Sequence, residues 1–276
     1  MKNIETQYRS LIKELLDAPF KPDRTGTGTY SLFGKTLEHD MSAGFPLLLS
    51  KKVSFKAAKF ELLWILHGRT DMKYLRDNGI NYWDDDYTRS GRTDGTLGPV
   101  YGKQWRDFNG VDQLQRIITG IMTRPESRRL MVNAWNPSEL HQMALPPCHY
   151  GFQVYINNNK LDLMWQQRSA DVFLGLPYDI AMYGLLLELL AKGAGYTPGR
   201  LIAQLGDCYL YSNHIEQSKE LLSRQLKGRI LPVLDLAGSG LTIGYDRDVI
   251  VPHEWEIELK HYDPMPAIKA PLSVGL

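Results

Sequence analysis

Phe152-Gln153-Val154-Tyr155-Ile156-Asn157-Asn158-Asn159-Lys160-Leu161-Asp162-Leu163-Met164-Trp165 reads as two strands folded on a tight turn. Phe152, Val154 and Ile156 alternate with polar or less apolar neighbours, as do Leu161, Leu163 and Trp165. Period two marks a strand with one buried face. Asparagine tolerates positive φ, so the Asn run marks the turn. With Asn158 and Asn159 at its centre, Asn157 pairs with Lys160. The same register, extended outward, sets Cys148 opposite Ser169 and next to Arg168.

That placement brings two motifs together, Pro146-Pro147-Cys148-His149 and Gln167-Arg168-Ser169-Ala170-Asp171. A thiol titrates near pH ~8.5, and a neighbouring cation lowers that value toward the reactive thiolate. Arg168 and Ser169 suit a phosphate. The competing reading makes Cys148 a small buried hydrophobe, the usual fate of a lone cysteine. His149, as its strand neighbour, points to the opposite face and is not read as a base for the thiol.

The chain has 276 residues with 43% hydrophobic content, enough for one large core or two small ones. A net charge of +1 gives no electrostatic reason to expect nucleic acid or membrane as a partner. Two cysteines make a disulfide scaffold improbable and suit a reducing cytosol. Met1 to Arg9 is polar and charged, so no secretory leader is read there. The expected location is cytoplasmic: a bacterial cytoplasm, or the host's if a phage encodes the chain. The most apolar run, Ile180 to Ala191, contains Glu188 and is too short for a bilayer.

Helical spacing appears over Ile4 to Leu16, Phe55 to Leu66, Asp112 to Met122, Ile180 to Lys192 and Asn213 to Gln225. Gly193 and Gly195 end the fourth of these. Strands are expected at Tyr30 to Leu49 (with a turn), Arg128 to Trp135, the hairpin, Leu201 to Asp207, and in places from Ile230 to Leu259. Asp23 to Thr29 and Tyr82 to Gly98 read as polar loops. With no repeat and no linker, residues 1–276 are expected to form one α+β domain.

The chain resembles the thymidylate synthase family almost end to end. The resemblance rests on Asp23-Arg24-Thr25-Gly26-Thr27-Gly28-Thr29, Glu61-Leu62-Leu63-Trp64, Leu97 to Arg106, Ser127-Arg128-Arg129, the two motifs above, Leu174-Gly175-Leu176-Pro177 and Gly206-Asp207. It implies a mixed sheet that packs back to back in a homodimer, with surrounding helices and shared active sites. It also implies a pyrimidine nucleotide substrate, with 5,10-methylenetetrahydrofolate as co-substrate and no metal. By resemblance Cys148 adds to C6 of the base. Arg24, Arg168 and Ser169 hold the 5′-phosphate, joined by Arg128 and Arg129 from the partner chain. Glu61 handles protons, in apolar surroundings that raise its pKa. Tyr101 helps remove the C5 proton. Trp83, Asp171 and Gly175 face the folate, and Asp171, Tyr209 and Tyr211 the nucleotide.

Departures from the family pattern are as informative as the matches. Asp179 stands where the family reads the base with asparagine. An asparagine amide complements the N3–H and O4 of uracil, whereas a carboxyl group suits N3 and the N4 amino group of cytosine. Asp84-Asp85-Asp86 follows Trp83 and lacks the family's second tryptophan. The ending Pro271-Leu272-Ser273-Val274-Gly275-Leu276 is longer than usual. Tyr209 replaces a histidine that binds the sugar. These differences point to hydroxymethylation of dCMP. The alternatives are a dCMP 5-methyltransferase, then a CMP hydroxymethylase or an ordinary dUMP thymidylate synthase. A non-catalytic nucleotide or RNA binder on the same fold is the reading from another class.

Overall fold

The computed structural model describes residues 2–273. Val274, Gly275 and Leu276, the end of the tail read above as longer than usual, lie outside them. Helix α1 (Ile4–Leu16) is capped by Asn3, whose side chain accepts the Glu5 N–H. Strands β1 (Phe20–Lys21) and β2 (Thr29–Asp40) flank the loop carrying Arg24. Helix α2 (Phe55–Leu66) begins at Ser54, whose side chain accepts the Ala57 N–H. Short helices α3 (Met72–Asp77), α4 (Asp84–Arg89) and α5 (Tyr101–Arg106) follow, then α6 (Gln113–Thr123). Asp112 is the cap of α6 rather than part of its first turn, its carboxylate accepting the Gln115 N–H. The stretch read as a loop from Tyr82 to Gly98 thus contains α4. Its first turn holds Asp84, Asp85 and Asp86, where negative charge suits the helix dipole.

Strands β3 (Met131–Asn133), β4 (His149–Asn157), β5 (Lys160–Asp171) and β6 (Thr197–Tyr211) complete the main sheet, ordered β1-β2-β6-β5-β4-β3. The β5–β6 pair is parallel and the others antiparallel, so the sheet is mixed and the fold α+β. The hairpin turns as its sequence requires: Asn158 and Asn159 both have positive φ, and Asn157 pairs with Lys160. The strand expected from Arg128 shrinks to β3.

Between β5 and β6 runs α7 (Leu176–Ala194), buried on nearly all sides and four residues longer at its start than its apolar run suggests. Pro177 in its first turn explains the earlier start, since a proline there loses no helical hydrogen bond. Gly195, at φ 77°, closes the helix, while Gly193 lies inside it. A Cβ on Gly193 would come within 1.8 Å of Leu241 O, so its role is close approach and not termination. Helix α8 (Ile215–Ser223) follows a short 3₁₀ turn. Strand β7 (Val233–Leu236) pairs antiparallel with β10 (Ile257–Lys260), and β8 (Thr242–Ile243) with β9 (Val249–Ile250).

Leu161, Leu163 and Trp165 on β5 and Leu201, Ala203 and Leu205 on β6 are buried. Alternate residues face the other way: Gln153, Met164 and Ile202 form one cross-strand row, and Gln166 and Gln204 another. These rows are uncharged and only partly covered. Among the described residues no helix is long and apolar enough to cross a membrane.

Candidate active site

A bulge at the start of β4 decides how the two motifs meet. Gly151 pairs with Gln166 but His149 pairs with Gln167, so Tyr150 is the extra residue. Arg168 N donates to Cys148 O at 2.8 Å. Cys148 therefore lies opposite Arg168, one position from the Ser169 that an unbroken register gives. The bulge also turns His149 toward the core. Its ring and that of Phe152 both meet Tyr183, at 5.4 and 6.2 Å. His149 stacks on Tyr101 at 4.2 Å, and the Tyr101 hydroxyl accepts the Cys148 N–H at 2.9 Å. The expected turn of His149 away from the site does not occur. No hydrogen bond joins it to the thiol among the described residues, and burial drives its pKa down to about 3, leaving it neutral.

Arg168 is locked in place. Its Nε donates to Pro147 O at 2.8 Å and its Nη2 to Pro146 O at 2.9 Å, while the guanidinium lies over Trp135 at 5.4 Å. The two prolines thus supply carbonyls that fix the cation beside the cysteine. The expected lowering of the thiol pKa is overturned. Burial pushes Cys148 up to about 11, with Asp179 and Asp86 adding to the rise and Arg168 and Arg24 only partly opposing it. Cys148 rests as a thiol at neutral pH.

Asp179, in the first turn of α7, accepts from Gln167 Nε2 at 2.8 Å through Oδ2. The Gln167 amide is held by Trp165 Nε1 on Oε1 at 3.1 Å and by Ser169 O on Nε2 at 3.1 Å. Oδ1 of Asp179 lies 4.0 Å from His149 Nε2. Burial raises Asp179 to about 7; the Gln167 bond opposes this and the charges of Glu61 and Asp171 add to it. Protonated and ionised forms are both populated near neutral pH.

Glu61 projects from α2 and accepts two hydrogen bonds, from the Tyr82 hydroxyl on Oε2 at 2.6 Å and Trp83 Nε1 on Oε1 at 2.8 Å. Burial still carries its pKa above the ordinary value. Trp83 is 8% exposed and meets Tyr101 edge-on at 6.4 Å. Asp86, one turn into α4, is ion-paired with Arg89 at 2.5 Å and raised by burial.

The other site candidates fall in three places. In the loop before β2, Asp23 Oδ1 accepts from Thr25 Oγ1 and Gly28 N, both at 2.9 Å, which shapes the turn presenting Arg24. At the C-terminal end of β5, Ser169 Oγ donates to the Tyr209 hydroxyl at 3.3 Å, and Tyr209 meets Tyr211 edge-on at 5.3 Å. Asp171 Oδ1 accepts from Phe173 N and Leu174 N at 3.0 and 3.1 Å. Its Oδ2 has no hydrogen bond among the described residues. Burial raises the Asp171 pKa against the pull of the Leu174 N–H, His214 and Lys51. Gly175, four residues after Asp171, caps α7. Arg128 and Arg129 stand apart, exposed ahead of β3 at the far edge of the sheet, with no guanidinium partner among the described residues.

The structure thus gathers Cys148, Tyr101, Asp179, Glu61, Trp83 and Arg168, and does not join Arg128 and Arg129 to them within one chain. The sequence alone does not single out Tyr82, Gln167, Tyr183 or Lys51, and it sets His149 on the face away from the thiol. Lys51 is buried against the Phe173 ring at 4.0 Å, and burial lowers its pKa to about 8. The others depend on the bulge and on which side chains converge. The chain matches the family model described as Thymidylate synthase over residues 6–274.

Proposed function

This chain belongs to the thymidylate synthase family, and we propose that within it the protein is directed to dCMP and leaves a 5-hydroxymethyl group on C5. Membership itself carries folate-dependent one-carbon transfer to C5 of a pyrimidine nucleotide. The observation that supports cytosine is Asp179. Its Oδ2 is taken by Gln167, and its pKa near 7 populates a protonated carboxyl. The protonated form can donate to N3 of cytosine, and the ionised form accepts from the N4 amino group, whereas against O4 of uracil the ionised form sets two acceptors in contact.

In this reading Cys148 Sγ bonds to C6 as the C5–C6 π pair shifts toward C5, and the thiol proton passes to water. With the resting thiol pushed up to about 11, the thiolate forms only as the ring accepts it. The displaced pair is shared through C4 with N3, where a proton from Asp179 stabilises it, and the enamine that results is nucleophilic at C5. Tyr101, whose hydroxyl accepts the Cys148 N–H, orders the backbone of the nucleophile and in this reading helps remove the C5 proton. Glu61, held by Tyr82 and Trp83, carries protons between the ring and water. Arg24, Arg168 and Ser169 hold the phosphate, and Arg128 and Arg129 of a second copy complete its shell. The uncharged rows on the open sheet face support that back-to-back dimer. Methylenetetrahydrofolate supplies the one-carbon unit. The free Oδ2 of Asp171, the Gly175 turn and the Trp83 ring fit a reduced pterin bearing several N–H donors.

Water rather than hydride as the last reactant is supported by Asp86. A carboxylate in a salt bridge with Arg89 stands where an aromatic would exclude water. The test is product analysis after incubation with dCMP and methylenetetrahydrofolate. Expected is 5-hydroxymethyl-dCMP without dihydrofolate. A rise in dihydrofolate absorbance with 5-methyl-dCMP sinks the hydroxymethyl reading, and no tritium release from C5 of any labelled pyrimidine nucleotide favours a non-catalytic binder.

A further inference from the structure

Helices α1 and α8 pack together, and Arg9 of α1 ties them by donating to Leu221 O at 2.9 Å and Leu222 O at 2.6 Å. Glu5 and Tyr8 stand three apart on α1, and His214 and Ser218 four apart across the start of α8, so each pair shares a face. Ser50 is bound into the same seam. Its N–H donates to Glu5 Oε2 at 3.3 Å, and its carbonyl accepts from Arg224 Nη1 at 2.8 Å. Glu5 is 5% exposed and the other four residues 0%. Each nevertheless keeps one polar atom with no partner among the described residues: Glu5 Oε1, Tyr8 Oη, Ser50 Oγ, His214 Nδ1 and Ser218 Oγ. Buried polar atoms that find no protein partner are satisfied by ordered water. The seam has two ends. Glu5 lines a cavity of about 270 Å³ with Thr6, Arg9, Arg224 and Leu226, room for several waters at ~30 Å³ each. At the other end the His214 ring packs on Phe173 at 5.4 Å, and Phe173 N donates to Asp171 Oδ1 at 3.0 Å. Burial raises the Tyr8 phenol, and the charges of Asp171 and Glu5 add to the rise, one from each end.

We propose that a chain of ordered waters runs through this seam, joined by the hydroxyls of Tyr8, Ser50 and Ser218, and carries protons between Asp171 and the cavity at Glu5. A hydroxyl accepts one proton while it donates another, so the chain conducts without ionising its members. The proton leaving the Asp171 carboxyl is matched by one delivered to water beside Glu5, and Asp171 is left as a carboxylate. The inference rests on the reading of Asp171 as facing a reduced pterin. An ionised Asp171 accepts N–H bonds from the pterin, whereas burial favours its protonated form, so folate binding expels the proton. With the pterin over Oδ2, the seam is a way out that does not cross the occupied site.

The test mixes full-length protein, saturated with dCMP, with tetrahydrofolate, which lacks the one-carbon unit. A pH indicator in weak buffer follows proton release, and tryptophan fluorescence follows binding. In wild type, release is expected to keep pace with binding. In Tyr8→Phe and in Ser218→Ala it is expected to lag by about tenfold or more, with the amount released and the tetrahydrofolate affinity unchanged. Each variant is also expected to lower Tm by about 2–4 °C, since a hydroxyl bonded to water is lost. A rise in Tm in both variants marks the removal of unpaired hydroxyls and overturns the water chain. Binding without proton release, or release that keeps pace with binding in both variants, overturns the proton route and leaves the folate reading standing. Failure of tetrahydrofolate to bind overturns the folate reading and the route with it.

Discussion

Gln167 Nε2 donates to Asp179 Oδ2 at 2.8 Å, and the orientation of that amide is fixed by Trp165 Nε1 bonding its oxygen at 3.1 Å. Gln167 cannot flip without losing the Trp165 bond, so Oδ2 always faces a donor and Oδ1 is the oxygen left for a ligand or a proton. A carboxyl group in this cradle presents a different code from an amide. Asp179→Asn is therefore expected to invert base preference. Relative kcat/KM for dUMP over dCMP should rise by about tenfold to a few hundredfold, the scale of one mismatched buried hydrogen bond. Competition assays with both nucleotides measure it, and a wild-type enzyme that already prefers dUMP contradicts the assignment.

The same carboxyl makes stability depend on pH. Its pKa is about 7 in the folded protein and ~3.9 in an unfolded chain. Between those values the native state holds a proton that the unfolded state has lost. Stability from this group is thus greatest below pH ~4, declines as pH rises, and levels off above about 7. Asp179→Asn removes the titration. The variant should gain stability relative to wild type at pH 8 and little at pH 4, by up to about 4 kcal/mol at ~1.4 kcal/mol per pH unit. Thermal melts across pH check this, and a difference that is flat with pH rejects it.

Cys148 should behave as an unreactive thiol in the free enzyme. With its pKa pushed up to about 11, alkylation by iodoacetamide should keep rising well above pH 9 and show no plateau near neutrality. Site-resolved mass spectrometry separates it from Cys208, which burial lifts to about 12. Cys148→Ser should lower turnover by about 10³-fold or more while nucleotide affinity changes little. Full activity in that variant refutes the nucleophile assignment.

Much of this fold was legible because its signals are local. Two adjacent asparagines at positive φ fix a hairpin, helical spacing of apolar residues finds α1, α2 and α6, and alternation finds strand faces. The active site was less so. One extra residue at Tyr150 slid Cys148 from Ser169 to Arg168 and turned His149 inward, and nothing in the alternation of Phe152, Val154 and Ile156 announces a bulge beyond their end. The thiol shift was misjudged for a similar reason. Arg168 was visible, but the depth of burial and the opposing charges of Asp179 and Asp86 depend on distant segments. Short α4 was hidden because three consecutive aspartates resemble a solvated loop until they are placed in a helix's first turn.

The hairpin gives a stability prediction independent of function. Asn158 and Asn159 sit at φ 49° and 60°, where a β-carbon is strained and asparagine is tolerated better than most residues. Asn159→Gly should leave stability unchanged or raise it slightly. Asn159→Val should cost about 1–2 kcal/mol, read as a shift in the denaturation midpoint. Equal midpoints for the two variants would show that the turn tolerates another geometry.

Tyr82 offers the most discriminating test of Glu61. Its hydroxyl donates to Oε2 at 2.6 Å and so favours the ionised carboxylate, working against burial, which favours the neutral one. Tyr82→Phe removes that donor and leaves the Trp83 bond to Oε1 in place. Glu61 should then hold its proton to higher pH. If Glu61 carries protons in turnover, the limb of the kcat profile that reports its ionisation moves upward in pH, with kcat at the optimum reduced by about tenfold. Glu61→Gln should abolish that limb and lower kcat by about 10²- to 10⁴-fold. A Tyr82 that merely fills space against Tyr178, its neighbour at 6.2 Å, would lower kcat without moving the limb. The position of the limb therefore separates a proton-handling carboxylate tuned by Tyr82 from a buried glutamate that only holds α2 against the loop carrying Trp83.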